Sequence, residues 1–229
     1  MIHEENADWL LPAVLSTTAG AVDVIGFLTL GGLFTAHITG NVVIVAAHYV
    51  TGGFSQIGPL LAVPVFMAVM GLVTLASGAI ARAGTMPLRP LLLLETVLLA
   101  GFLLLGVGFG RFDNADSSMA VLAGMLGVSA MATQNVLVKL ALKGAPSTAV
   151  MTTNITQLTV DLVTLARHRG NADELAKAGR RARMTFACVI GFAAGCAAGA
   201  ALEIKFGLWA LALPVVLSAL AVPLGRVEE

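Results

Sequence analysis

Between residues 10 and 224 the sequence is a succession of apolar runs, 10–30, 34–50, 59–81, 90–110, 119–142, 148–166, 184–202 and 208–224. Most are long enough for a helix to span a bilayer, which takes about 20 apolar residues. Inside lipid every backbone amide and carbonyl needs a partner within the protein, so a chain of this pattern folds as helices. A membrane barrel would show short stretches of alternating polarity instead. Charge is correspondingly scarce: 11% of residues are charged and 58% are hydrophobic, against about 25% and roughly 45–50% in soluble domains. The fold class read from this pattern is all-α, a polytopic integral membrane bundle.

Thirteen basic residues balance thirteen acidic ones. A nucleic-acid partner held by bulk charge is therefore excluded. The two cysteines, Cys188 and Cys196, lie in one apolar run and show neither a metal spacing nor a disulfide framework. They read as small packing residues. The start, M-I-H-E-E-N, lacks the basic segment of a secretory signal, so the first apolar run is expected to stay in the mature protein.

Basic residues in short loops favour the cytoplasm. Arg167, Arg169, Lys177, Arg180, Arg181 and Arg183 outweigh Asp173 and Glu174 between the sixth and seventh runs, and Arg82 and Arg89 lie between the third and fourth. The chain must cross an even number of times between these two loops, yet three runs lie between them. One of the three therefore makes no net crossing.

A weak internal repeat points to which one. T-A-H-I-T-G-N-V from Thr35 returns as T-A-V-M-T-T-N-I from Thr148, an offset of 113. Each copy heads the short second run of its half. The expected organisation is one transmembrane domain of two repeats, 1–112 and 113–229. Each makes three net crossings and carries one interrupted or re-entrant helix, which inverts the second repeat and puts both termini inside. The competing arrangement has eight full crossings in parallel repeats, with the basic loops outside.

The motif T-A-H-I-T-G-N, with A-G-A-V-D-V-I-G-F from Ala19 to Phe27 before it, resembles the signature of the YoaK family. That resemblance is sharpest over the first 50 residues. It implies a small multi-pass protein of the bacterial inner membrane, with about six transmembrane segments and no established substrate.

The residues of the motif suggest a polar site. Asp23 lies within an apolar run, where an ionisable group costs at least about 2.5–3.5 kcal/mol unless paired or hydrated. Gly31 and Gly32 break the run, and Thr35 or Thr39 can cap a restarting helix. The freed amides at such a restart suit an anion or polar ligand. Asn41 offers a donor and an acceptor, and His37 can bond or shuttle a proton. In the second half Gln134, Asn135, Thr152 and Asn154 occupy related places, and Asn154, Gln157 and Asp161 share one helical face. The same Thr and Asn residues also serve as interhelical glue. Lys139 either snorkels or pairs with Asp23 or Asp161, Glu95 is either interfacial or functional, and His48 is interfacial.

Gly191, Gly195 and Gly199 form a small-residue ridge, for packing within the chain or for a homodimer seam. Residues 171–183 read as a basic surface helix near anionic lipid, or as a solvated loop. The two short helices are expected to meet at midplane in one shared polar site. The function expected is a secondary transporter of a small solute or ion, coupled to protons or sodium. A channel and a non-transporting scaffold or sensor are the alternatives. No hydrolase or metalloprotease motif is present, and no enzyme activity, cofactor or metal is expected.

Overall fold

The computed structural model describes residues 9–51, 57–82, 88–109, 114–167 and 171–225. Within them lie eight α-helices: α1 (Leu10–Thr29), α2 (Ile38–Thr51), α3 (Ile57–Arg82), α4 (Leu88–Phe109), α5 (Ser118–Ala141), α6 (Met151–Ala166), α7 (Ala172–Phe206) and α8 (Ala212–Leu224). A 3₁₀ turn, Gly207–Leu211, joins the last two. The described residues contain no strand. Five helical segments, Leu10–Thr29, Ile57–Arg82, Leu88–Gly108, Ser118–Ala141 and Ala172–Leu224, are long and apolar enough to cross a membrane. Large apolar side chains such as Met67, Leu72, Leu75 and Leu104 point outward, as a lipid-facing surface requires.

Hydroxyls in this apolar setting mostly turn back on their own helix. Thr17, Thr18, Thr29, Thr96 and Thr133 each donate to the carbonyl four residues earlier, which satisfies them without a second helix. Thr96 also meets Ser218 of α8 at 2.8 Å.

Residues 171–183 belong to α7 and run unbroken into the seventh apolar segment, so the helix is 35 residues long. Asn171 starts it through a capping box, accepting from Glu174 N while Glu174 Oε2 accepts from Asn171 N. Neither a separate surface helix nor a loop is present there; Arg169 lies outside the described residues. The glycine ridge of α7 receives α1. A Cβ on Gly191 would lie 2.7 Å from the Ala13 carbonyl, and one on Gly195 would collide with the Thr17 carbonyl. Of its two possible uses, the intramolecular one is seen here, with Ala13, Thr17 and Ala21 of α1 against the three glycines.

The packing pairs α1 with α7 and α8, and α5 with α3 and α4. It pairs α2 with α3, α6 with α7, and α4 with α8. Helices α1 and α5 are antiparallel. Near the start of α1 the Leu15 carbonyl accepts from Gln134, late in α5. Near the end of α1 the Thr35 methyl fills the space that a Cβ on Gly26, or on Gly127 early in α5, would need.

Leu11, Leu15, Leu88, Leu92, Leu137 and Ala221 share one buried cluster. The described ends of the chain thus lie at the same end of the bundle as Arg82, Arg89 and Lys143. Asp116, which accepts from Ile57 N at 2.7 Å, lies at the other end. Leu33, before α2, faces Gly58, after it, so the residues on either side of α2 meet at that far end.

Candidate functional site

Two helix breaks concentrate the polar side chains. The first follows α1. Gly31 and Gly32 have φ of 62° and 88°, a left-handed backbone that side chains with a Cβ resist. It folds residues 33–37 back onto α1. There Asp23 Oδ1 accepts from Ala36 N at 2.7 Å, His37 N at 3.3 Å and Thr35 Oγ1 at 3.4 Å. The start of α2 is thus capped by a carboxylate from another helix, rather than by Thr35 or Thr39. The negative charge meets the positive end of the helix dipole. Asn41 closes the loop, accepting from Phe34 N at 2.9 Å and donating to Phe34 O at 2.8 Å.

The second break follows α5. Gly144 has φ of 88°, at the repeat offset from Gly31. Asn154 donates to Ser147 O at 2.6 Å, the counterpart of the bond from Asn41 to Phe34 at the same offset. Here the Ser147 hydroxyl takes the carboxylate's place, Oγ accepting from Val150 N at 2.9 Å and Ala149 N at 3.4 Å, and the long helix contributes a neutral amide. Gln134 Nε2 donates to Thr148 Oγ1 at 2.7 Å and to Leu15 O at 3.1 Å. A backbone carbonyl only accepts, so the nitrogen must face it. Gln134 Oε1 is left buried without a partner among the described residues.

The expected residues therefore divide. Asp23, Thr35 and Asn41 form the first break, and Gln134, Thr148 and Asn154 the second. His37, Thr39 and Thr152 are exposed. Asn135 donates to Met131 O in its own helix. Asn154, Gln157 and Asp161 do share a face, but Asp161 is not free to bind. Its two oxygens accept from Arg181 Nε, at 2.8 Å, and Nη2, and Gln157 Nε2 donates to it at 3.0 Å. Asp161 is 1% exposed and Arg181 51%. Lys139 pairs with neither Asp23 nor Asp161.

The shared midplane site does not form. The two breaks contact α1 at Asp23 and Leu15, eight residues and about 12 Å apart. No described hydrogen bond joins them. The second break instead opens into a pocket of about 460 Å³ lined by Asn135, Lys139, Lys143, Ser147 and Thr148. An adjoining space of about 240 Å³ is lined by Ser147, Asn154, Gln157, Arg181 and Thr185.

The geometry decides one role that the sequence left open and adds one that it missed. Glu95 is 0% exposed, inside the bundle rather than at its edge, and neither carboxylate oxygen has a partner among the described residues. Arg181, counted among loop charges, is the partner of Asp161. Its position on a helix continuous with the seventh run was the missing signal.

The family described as "Protein of unknown function (DUF1275)" matches residues 11–224. A relative in Bacillus subtilis (strain 168), the "UPF0700 transmembrane protein YoaK", is 40% identical over 70 residues. That match covers 31% of this chain and 28% of the relative. No solved structure matches.

Proposed function

This chain belongs to the DUF1275 family, and on that premise we propose that it is a secondary transporter of a small solute, built from two inverted repeats. The observation that carries this reading is the pair of helix breaks. They share an offset, a left-handed glycine and an Asn-to-carbonyl bond, yet sit on antiparallel helices, one toward each end of the bundle. Exchanging the two halves also maps the helix pairings onto themselves, α1–α7 onto α5–α3 and α2–α3 onto α6–α7. Broken helices in inverted repeats are a recurrent transporter design.

With α2 and α6 re-entrant, each half makes three net crossings. The basic end is then cytoplasmic, with both termini there, and the membrane is the bacterial inner membrane implied by the family resemblance. Lys139 and Lys143 border the pocket while Arg181 is neutralised by Asp161, so the solute favoured is small and bears an anionic group such as a carboxylate.

The test is thermal stability of the purified protein against small carboxylates, amino acids and neutral polyols. A ligand of the folded state adds about 2.7 kcal/mol at one hundred times its dissociation constant. A carboxylate is expected to stabilise the wild type and not the Lys139→Ala/Lys143→Ala variant, whose changed side chains are exposed. Stabilisation that persists in the variant, or comes only from neutral solutes, contradicts the assignment of this pocket.

A further inference from the structure

Helices α4 and α5 pack against each other, and Phe102 of α4 fills the space that a Cβ on Gly127 of α5 would need. Leu126 likewise faces Gly101, and Leu91 and Leu92 share a cluster with Val136 and Leu137. The two helices are therefore antiparallel. Seven residues, about two turns, before Phe102 lies Glu95. Seven residues after Gly127 lies Gln134. Each is on the same face as its reference residue, so the two stand opposite one another across the α4–α5 contact.

Both are 0% exposed. Glu95 Oε1, Glu95 Oε2 and Gln134 Oε1 are all buried oxygens without a partner among the described residues. Buried acceptors left without a donor are an arrangement native proteins avoid. An isolated carboxylate in such surroundings is too costly to persist. A single proton resolves the cluster, because a protonated carboxyl is a donor and Gln134 Oε1 accepts from it. No cation competes for the role. The charged residue of α5 is Lys139, exposed and more than a turn beyond Gln134. Helix α8 and the 3₁₀ turn carry no titratable group, and Arg89 of α4 itself is exposed.

We propose that Glu95 is the protonation site of this bundle, neutral at rest with its O–H directed to Gln134 Oε1. The O–H bond breaks when the second break opens, the proton passes to water, and a carboxylate remains. Gln134 links the two events, because its nitrogen holds Thr148 at the break while its oxygen faces Glu95. The inference deepens the transport reading by naming a proton as the coupled ion. Its readout needs no solute, so a failed solute screen leaves it intact, and its own failure leaves the anion pocket standing.

The experiment is infrared spectroscopy of the purified protein in hydrated lipid. A protonated-carboxyl stretch is expected at neutral pH, lost in Glu95→Gln and kept in Asp23→Asn. It is expected to change frequency in Gln134→Leu and to fade as pH is raised. Absence of the band in the wild type, its survival in Glu95→Gln, or a band unchanged by pH while the protein stays folded would overturn the proposal. If Glu95→Gln does not fold, the wild-type titration and the Gln134→Leu frequency still decide.

Discussion

The two helix breaks have the same backbone plan and different caps. At the first, a carboxylate closes on the amides that precede α2, and Asn41 makes two bonds to Phe34. At the second, Ser147 Oγ accepts from the amides that precede α6, and the long helix offers an amide whose nitrogen finds one side-chain and one carbonyl acceptor. The polar side chains at the first break are spent on one another. At the second, the threonine that Gln134 holds lines a pocket. The comparison teaches that a repeated backbone motif can be closed by a different side chain in each copy, a carboxylate from the long helix in one and a hydroxyl of the loop itself in the other.

Substitutions at each break test that difference. The largest effect is expected at Asp23. Asp23→Leu leaves the Ala36 and His37 amides buried without an acceptor, at about 1–3 kcal/mol for each orphaned group. Asp23→Asn keeps an oxygen in place and should cost much less. Unfolding of both variants in detergent measures this, and equal losses would mean that the carboxylate does not act as the cap. Next comes the asparagine pair. Asn41→Ala removes two bonds and Asn154→Ala one to the matching carbonyl, so losses of about 2 and about 1 kcal/mol are expected. The reverse order would break the assignment of the tighter lock to the first half. The smallest effect is expected from Gln134→Leu, about 1 kcal/mol, because the Leu15 carbonyl keeps its bond within α1 and only uncharged partners are released. A loss as large as that of Asp23→Leu would show that the second break is locked as firmly as the first.

How much of this is visible in the sequence depends on which signal each residue leaves. The apolar runs and Gly31 predict the helices and the first break, because length and glycine act locally. The offset of 113 predicts that Asn41 and Asn154 hold matching places. Side-chain facing is another matter. Helix α4 is apolar on every side, so periodicity carries no information on which way Glu95 points, and only packing against α5 turns it inward. The expectation that Asn41 and Asn154 meet failed because each finds a carbonyl seven residues away in its own loop, a partner closer than any on the other half. The pairing of Asp161 with Arg181 was hidden because residues 171–183 read as a separate surface helix or a loop, whereas 172–183 form the first turns of α7.

The central claim is that the two breaks open toward opposite sides of the membrane. An impermeant thiol reagent applied to vesicles of known orientation tests it, in a background with Cys188 and Cys196 replaced. His37→Cys reports the first break, Ser147→Cys the second, and Lys177→Cys marks the basic end. The account predicts that Ser147→Cys and Lys177→Cys react from one side and His37→Cys from the other. Reaction of His37→Cys and Ser147→Cys from the same side would contradict the inverted arrangement.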